Sequence, residues 1–186
     1  MKRTSSLLFA LLLLVAVTAL AADKNPVVGG QEMLPSNNVF QNLSRSADHT
    51  TFVKAIKAAG LEQTLEGPGP ITIFAPTNKA FSEMPEGLLD KLMKPENKEE
   101  LKKVLLYNMV AGKLSTADLK KKLQESKNGS VEVTSMEGAK LKVADHNGMH
   151  LMIHSEDDDI GMFSIWDVPC SNGLIDVVDN VMQLKD

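Results

Sequence analysis

Between residues 48 and 107 the apolar positions recur at helical spacing, and beyond residue 130 they alternate, so helices come first and strands later. Phe52, Ala55, Ile56 and Ala59 share one helical face, with Asp48 placed to cap the helix and Gly60 to supply its left-handed exit. Gly67-Pro68-Gly69-Pro70 is a stiff turn into residues 71–75, where Ile71, Ile73 and Ala75 fall on one face and Thr72 and Phe74 on the other. Neither face carries charge, which predicts a central strand, stopped by Pro76 and followed by a helical turn capped by Thr77 or Asn78. Leu88, Leu89 and Leu92 predict a short helix. Pro95 stands at the start of another, with Leu101, Val104 and Leu105 on one side. Residues 107–114 turn strand-like, and Ser115 with Asp118 caps a helix through Leu123 whose Lys120, Lys121 and Lys122 form its wet side.

The last third alternates over 131–136, 140–145, 149–154, 163–166 and 174–182, the last with a break, and the class is α+β. The turn through His146-Asn147-Gly148 allows two registers. A two-residue loop sets Val143 against Met152, whereas a three-residue loop with Gly148 left-handed sets Val143 against Leu151 and Leu141 against Ile153. The second keeps the apolar residues on one face and is the expected one.

Residues 1–21 read as an export signal: Lys2 and Arg3 precede an apolar run, and Ala19-Leu20-Ala21 offers a cleavage site. Residues 22–37, with Pro26, Gly29, Gly30 and Pro35, are expected to form an extended lead-in arm, and 38–186 a single domain. The apolar run is short for a bilayer span, so no transmembrane anchor is expected and the product should be secreted or periplasmic. Loss of the signal removes two basic residues and no acidic one, taking the formal net charge from −4 to −6, which argues against nucleic acid as a partner. Cys170 is the single cysteine, so no intramolecular disulfide forms, and without a neighbouring His it reads as a packing residue.

Candidate chemistry is sparse. No Gly-rich phosphate loop, nucleophile elbow or zinc-helix motif is present, and nothing points to an enzyme. Glu156-Asp157-Asp158-Asp159 lacks the ligand alternation of a calcium loop and reads as an acidic surface loop. Asn42 and Asn128 begin glycosylation acceptor patterns. His146, His150 and His154 are spaced by four, with Met149, Met152 and Met162 among them, so a periplasmic copper-binding or metal-handling protein using His150, Met152 and His154 is the alternative function. Against it, the expected register places these three opposite Ala144, Lys142 and Lys140 on a solvated strand face.

The segments ITIFAPTNKAF (71–81) and NGLIDVVDNVMQ (172–183) together resemble the two hallmark motifs of the fasciclin (FAS1) domain. LLYNMVAGKL resembles the family's Tyr-His segment, and ADHTTFVKAIKAAGLEQTLEGPGP the helix and turn before the first motif. The resemblance implies a FAS1-like fold, a wedge-like pair of β-sheets flanked by several α-helices, used without a cofactor for adhesion. The implied partners are an extracellular or envelope protein, matrix polysaccharide, or a second copy of the chain. It also implies that the adhesive region includes Tyr107, Asn108, Asp167 and Val168. Asn108 stands where the family has histidine, and Asp167-Val168 where it has Asp-Ile.

Overall fold

The computed structural model describes residues 24–146, 150–156 and 159–183. Its first elements are a small hairpin of β1 (Val27–Val28) and β2 (Gln31–Glu32), followed by helices α1 (Val39–Arg45), α2 (Thr50–Ala59) and α3 (Glu62–Glu66). The lead-in is therefore no free arm. Val28 and Met33 are buried, and the Ala47 N–H donates to the Gly29 carbonyl at 3.2 Å, tying the hairpin to the α1–α2 junction. Asp48 does not cap α2, because residues 47–49 form a 3₁₀ turn and His49 occupies the cap position without a side-chain capping bond. Gly60 ends α2 at φ 71°, as its place in the pattern predicts. α3 is absent from the sequence expectation, since a single buried residue, Leu65, leaves no periodicity to read.

Strand β3 (Ile71–Pro76) is buried at every position. α4 (Asn78–Ser82) follows, with the Thr77 hydroxyl accepting from the Ala80 N–H, and then α5 (Leu88–Leu92), α6 (Lys98–Tyr107) and the short β4 (Met109–Ala111). Helix α7 (Thr116–Glu125), capped by Ser115, leads into β5 (Ser130–Thr134), β6 (Lys140–His146), β7 (His150–His154), β8 (Ile160–Cys170) and β9 (Gly173–Val178). These strands form one seven-stranded mixed sheet in the order β4-β3-β9-β8-β7-β6-β5. The two motif strands, β3 and β9, lie side by side and parallel at its centre, Ile73 beside Ile175 and Phe74 beside Asp176.

The pair of sheets implied by the resemblance is this one sheet folded at β8, an eleven-residue strand whose register against β9 shifts twice, after Phe163 and after Ile165. Each bulge adds a residue and sharpens the twist, so β8 serves both halves. The fold brings the sheet's ends together: Val110 of β4 bridges Ser135 beyond β5, and the Met136 N–H donates to the Met109 carbonyl at 2.7 Å.

Two cores result. Ile71, Ile73, Ala75, Ile175 and Val177 face the α1–α6 layer, whereas Phe74, Val178 and Phe163 face Leu119 of α7 and the inward residues of β5–β7. Phe74 meets Phe163 edge to face at 5.7 Å between ring centroids. Phe74→Leu is expected to cost about 1–1.5 kcal/mol, the worth of that ring pair with little lost volume, read as a shift in the urea midpoint.

The β6–β7 register corrects the expected one. Val143 pairs with Ile153, Asp145 with Leu151 and His146 with His150, two residues away from the register expected for the three-residue loop. A shift of two preserves faces, so Leu141, Val143, Leu151 and Ile153 still point inward, all buried. Gly148 lies outside the described residues.

Candidate functional site

The end of α6 and three strands, β3, β9 and β8, carry a row of residues that joins the two regions suspected of a surface role. The Phe74 N–H donates to the Asn108 carbonyl at 2.9 Å, Phe74 lies beside Asp176, and the Asp176 carboxylate accepts from the Asp167 N–H at 2.7 Å. At one end of this row Tyr107 and Asn108 are interior, 0% and 1% exposed. The Asn108 amide donates to the Val104 and Met182 carbonyls at 2.8 and 2.9 Å and accepts from the Met182 N–H at 3.1 Å, clamping the end of α6 to the segment after β9. The Tyr107 hydroxyl donates to the Lys140 carbonyl at 3.2 Å and accepts from the Glu156 N–H at 3.1 Å. Both side chains therefore hold elements together from inside.

At the other end Val168 is buried and Asp167 half-buried. Asp167 has φ 55°, the one positive-φ non-glycine among the described residues, at the second bulge of β8. Such a backbone is strained for a side-chain-bearing residue and persists where neighbours hold it. Here α7 holds it: the Asp167 carboxylate accepts from the Thr116 N–H at 2.9 Å and from the Thr116 hydroxyl, placing an anion on the positive end of the helix. Beneath it, Asp176 is 0% exposed and its Oδ2 has no hydrogen-bond partner among the described residues. Burial pushes the Asp176 carboxyl up to about 7; the Asp167 charge adds to this, while the Asp167 N–H opposes it. Two carboxyl groups with different environments thus sit under the start of α7.

The bulge also turns out Trp166, the only tryptophan, which is 43% exposed and lines a shallow depression with Thr116, Lys120 and Leu151. Sequence reasoning passed over it, because the bulges that set its direction leave no mark in the alternation. An exposed indole beside a lysine and a hydroxyl can stack on a flat ligand face and hydrogen-bond at its edge.

The remaining candidates lie elsewhere. His150, Met152 and His154 lie along one strand, opposite His146, Ala144 and Lys142 in place of the expected Ala144, Lys142 and Lys140. His150 and His154 are four residues apart, about 13 Å, so the three do not converge as one ligand set. No cluster of three or more His, Cys, Asp or Glu able to hold a metal occurs among the described residues. Burial pushes the Cys170 thiol up to about 11, partly opposed by the Asn42 amide that donates to its sulfur at 3.2 Å, so it is a poor nucleophile. Of the two glycosylation acceptor patterns, the one that begins at Asn42 is inaccessible. Asn42 is 0% exposed, and its amide is spent on the Leu34 carbonyl at 2.9 Å and on Cys170. Asn128 is exposed.

The sequence pattern that defines the Fasciclin domain matches residues 47–184. Protein sll1483 of Synechocystis is 32% identical over 160 residues, which cover 86% of this chain and 81% of that protein. Transforming growth factor-beta-induced protein ig-h3 of Sus scrofa is 30% identical over 136 residues, 68% of this chain but 20% of that longer protein. Among solved structures, a FAS1 domain pair from the insect cell adhesion molecule Fasciclin I superposes with a TM-score of 0.68 at 22% identity, covering 80% of this chain and 51% of that one, a likeness of fold. No helix among the described residues is long and apolar enough to cross a membrane.

Proposed function

The chain belongs to the fasciclin domain family, and on that premise we propose that it is an exported adhesion module that acts by binding, without turnover. Its partner is an extracellular or envelope protein or a matrix polysaccharide, and residues 1–21 are the signal that carries it there. The observation that carries this reading is the use of the hallmark motifs themselves: β3 and β9 are buried at every position, so what the family shares is scaffold. Recognition then belongs to what the scaffold presents. In this chain that is the start of α7 against β8, where the half-buried Asp167 holds the buried Thr116 and the exposed Trp166 stands beside them, with Val168 buried next to Asp167 and Tyr107 and Asn108 bracing the scaffold from inside.

The test is attachment. A deletion strain of the native source should lose surface or matrix attachment and regain it with the wild-type gene. Trp166→Ala should restore it at least about tenfold less well while keeping the thermal midpoint, as expected for an exposed aromatic anchor. Normal attachment in the deletion strain, or full rescue by Trp166→Ala, would remove this surface from the reading. Edman or mass analysis of the exported protein should find Ala22 at its amino terminus.

A further inference from the structure

The outer face of β7–β8 carries an arrangement that neither the adhesive reading nor the cores use. Met152 and Met162 are a direct cross-strand pair. Met162 is 39% exposed and Met152 half-buried, while Leu151, Ile153 and Phe163 face inward and are buried. His150 lies on the same outer face two residues before Met152, exposed and paired across β6 with His146. Two adjacent thioethers on a solvated strand face contribute little to packing, yet with the imidazole they form a soft donor set.

We propose that Met152, Met162 and His150 form a surface site for a soft monovalent cation, Cu(I) or its chemical stand-in Ag(I). Cross-strand Cβ atoms lie about 5 Å apart, same-face neighbours along a strand about 7 Å and diagonal neighbours about 7–8 Å, so a point about 4 Å from all three Cβ atoms exists. Thioether sulfur and imidazole nitrogen bridge that span at metal bonds of roughly 2–2.3 Å. Thioethers bind hard or borderline divalent ions poorly and select Cu(I). The charge pattern chooses His150 over His154. Lys142 sits directly opposite His154, and its ammonium repels a cation there, whereas His150 faces His146, a second imidazole, and no ammonium. The triangle comes from the observed register of β7 against β8; along β7 alone, His150, Met152 and His154 do not converge.

The experiment is anaerobic titration of the purified protein with Cu(I) against a chromophoric chelator, repeated with Ag(I). The Met ε-methyl carbons are followed by ¹³C NMR. Wild type should bind one equivalent with Kd below about 1 µM, with the Met152 and Met162 methyls shifting and that of Met136, exposed elsewhere, unmoved. The double variant Met152→Leu, Met162→Leu should weaken binding at least about 30-fold and His150→Ala about tenfold, with thermal midpoints retained because these positions are at the surface. Cys170→Ala removes the competing thiol and should leave the affinity unchanged. A wild-type Kd weaker than about 10 µM, affinity unchanged in the double Met variant, or affinity lost with Cys170→Ala would each overturn the site.

Discussion

Asn172→Ala is expected to destabilise the protein by about 4 kcal/mol, although the residue sits in the turn between two strands and a sequence reading makes it a turn former. Its side chain holds three parts of the chain at once. The carbonyl accepts from the Val39 N–H at the start of α1 at 2.9 Å, and the amide donates to the Leu65 and Gly67 carbonyls at 2.8 Å each, where α3 ends. Truncation leaves one donor and two acceptors without partners in a place water reaches poorly, at about 1–3 kcal/mol for each fully buried group. The backbone bond from the Ile71 N–H to the Asn172 carbonyl survives the substitution, so the loss reads the side chain alone. Urea unfolding measures it. A loss below about 1 kcal/mol would mean that α1 and α3 dock on the β8–β9 turn independently of this clamp.

The next residue shows why the motif tolerates little change. A Cβ on Gly173 would lie 1.9 Å from the Ile71 carbonyl oxygen, an impossible contact, so glycine is required for the close approach of β9 to β3 and not for an unusual dihedral. The sequence made the two motif strands legible because their patterns are local: uncharged β-branched and aromatic residues, a proline stop, an Asn-Gly turn. It left the parallel pairing of β3 with β9 unstated, because residues 71 and 173 meet only through the whole intervening chain.

The same division governs the candidate site. Capping by Ser115 and Thr77 and the helical exit at Gly60 depend on neighbours within four residues, and the sequence shows them. The inward faces of β6 and β7 were also readable, since alternation is conserved by any even shift. The absolute register was not, since two such shifts satisfy the pattern equally. The bulges of β8 change face without changing composition, and they alone decide that Trp166 faces out and Asp167 is held by Thr116. Tyr107 and Asn108 are readable as important but not as interior, because a tyrosine and an amide suit a surface equally well until their partners, Lys140, Glu156 and Met182, are brought to them.

Asp176→Asn is expected to abolish a pH dependence of stability worth about 4 kcal/mol. The folded-state carboxyl titrates at about 7, raised chiefly by burial, against 3.8 in the absence of structure. Below about pH 4 both folded and unfolded chains hold the proton and the contribution is fully present. As pH rises the unfolded chain releases its proton first, so stability falls, and the contribution is gone once pH has passed through about 7; some three units at 1.36 kcal/mol each give about 4 kcal/mol. His49, whose pKa burial lowers, works in the opposite direction, losing stability as pH falls, but it is common to both proteins and cancels in their difference. Asn keeps an acceptor for the Asp167 N–H, so the bulge and the seat of α7 are retained. The measurement is the difference in unfolding free energy between wild type and variant at pH 4, 5.5, 7 and 8.5, which should move against wild type by about 4 kcal/mol from the first to the last. A difference that stays constant with pH would show that the fold does not raise the Asp176 carboxyl above its unfolded value.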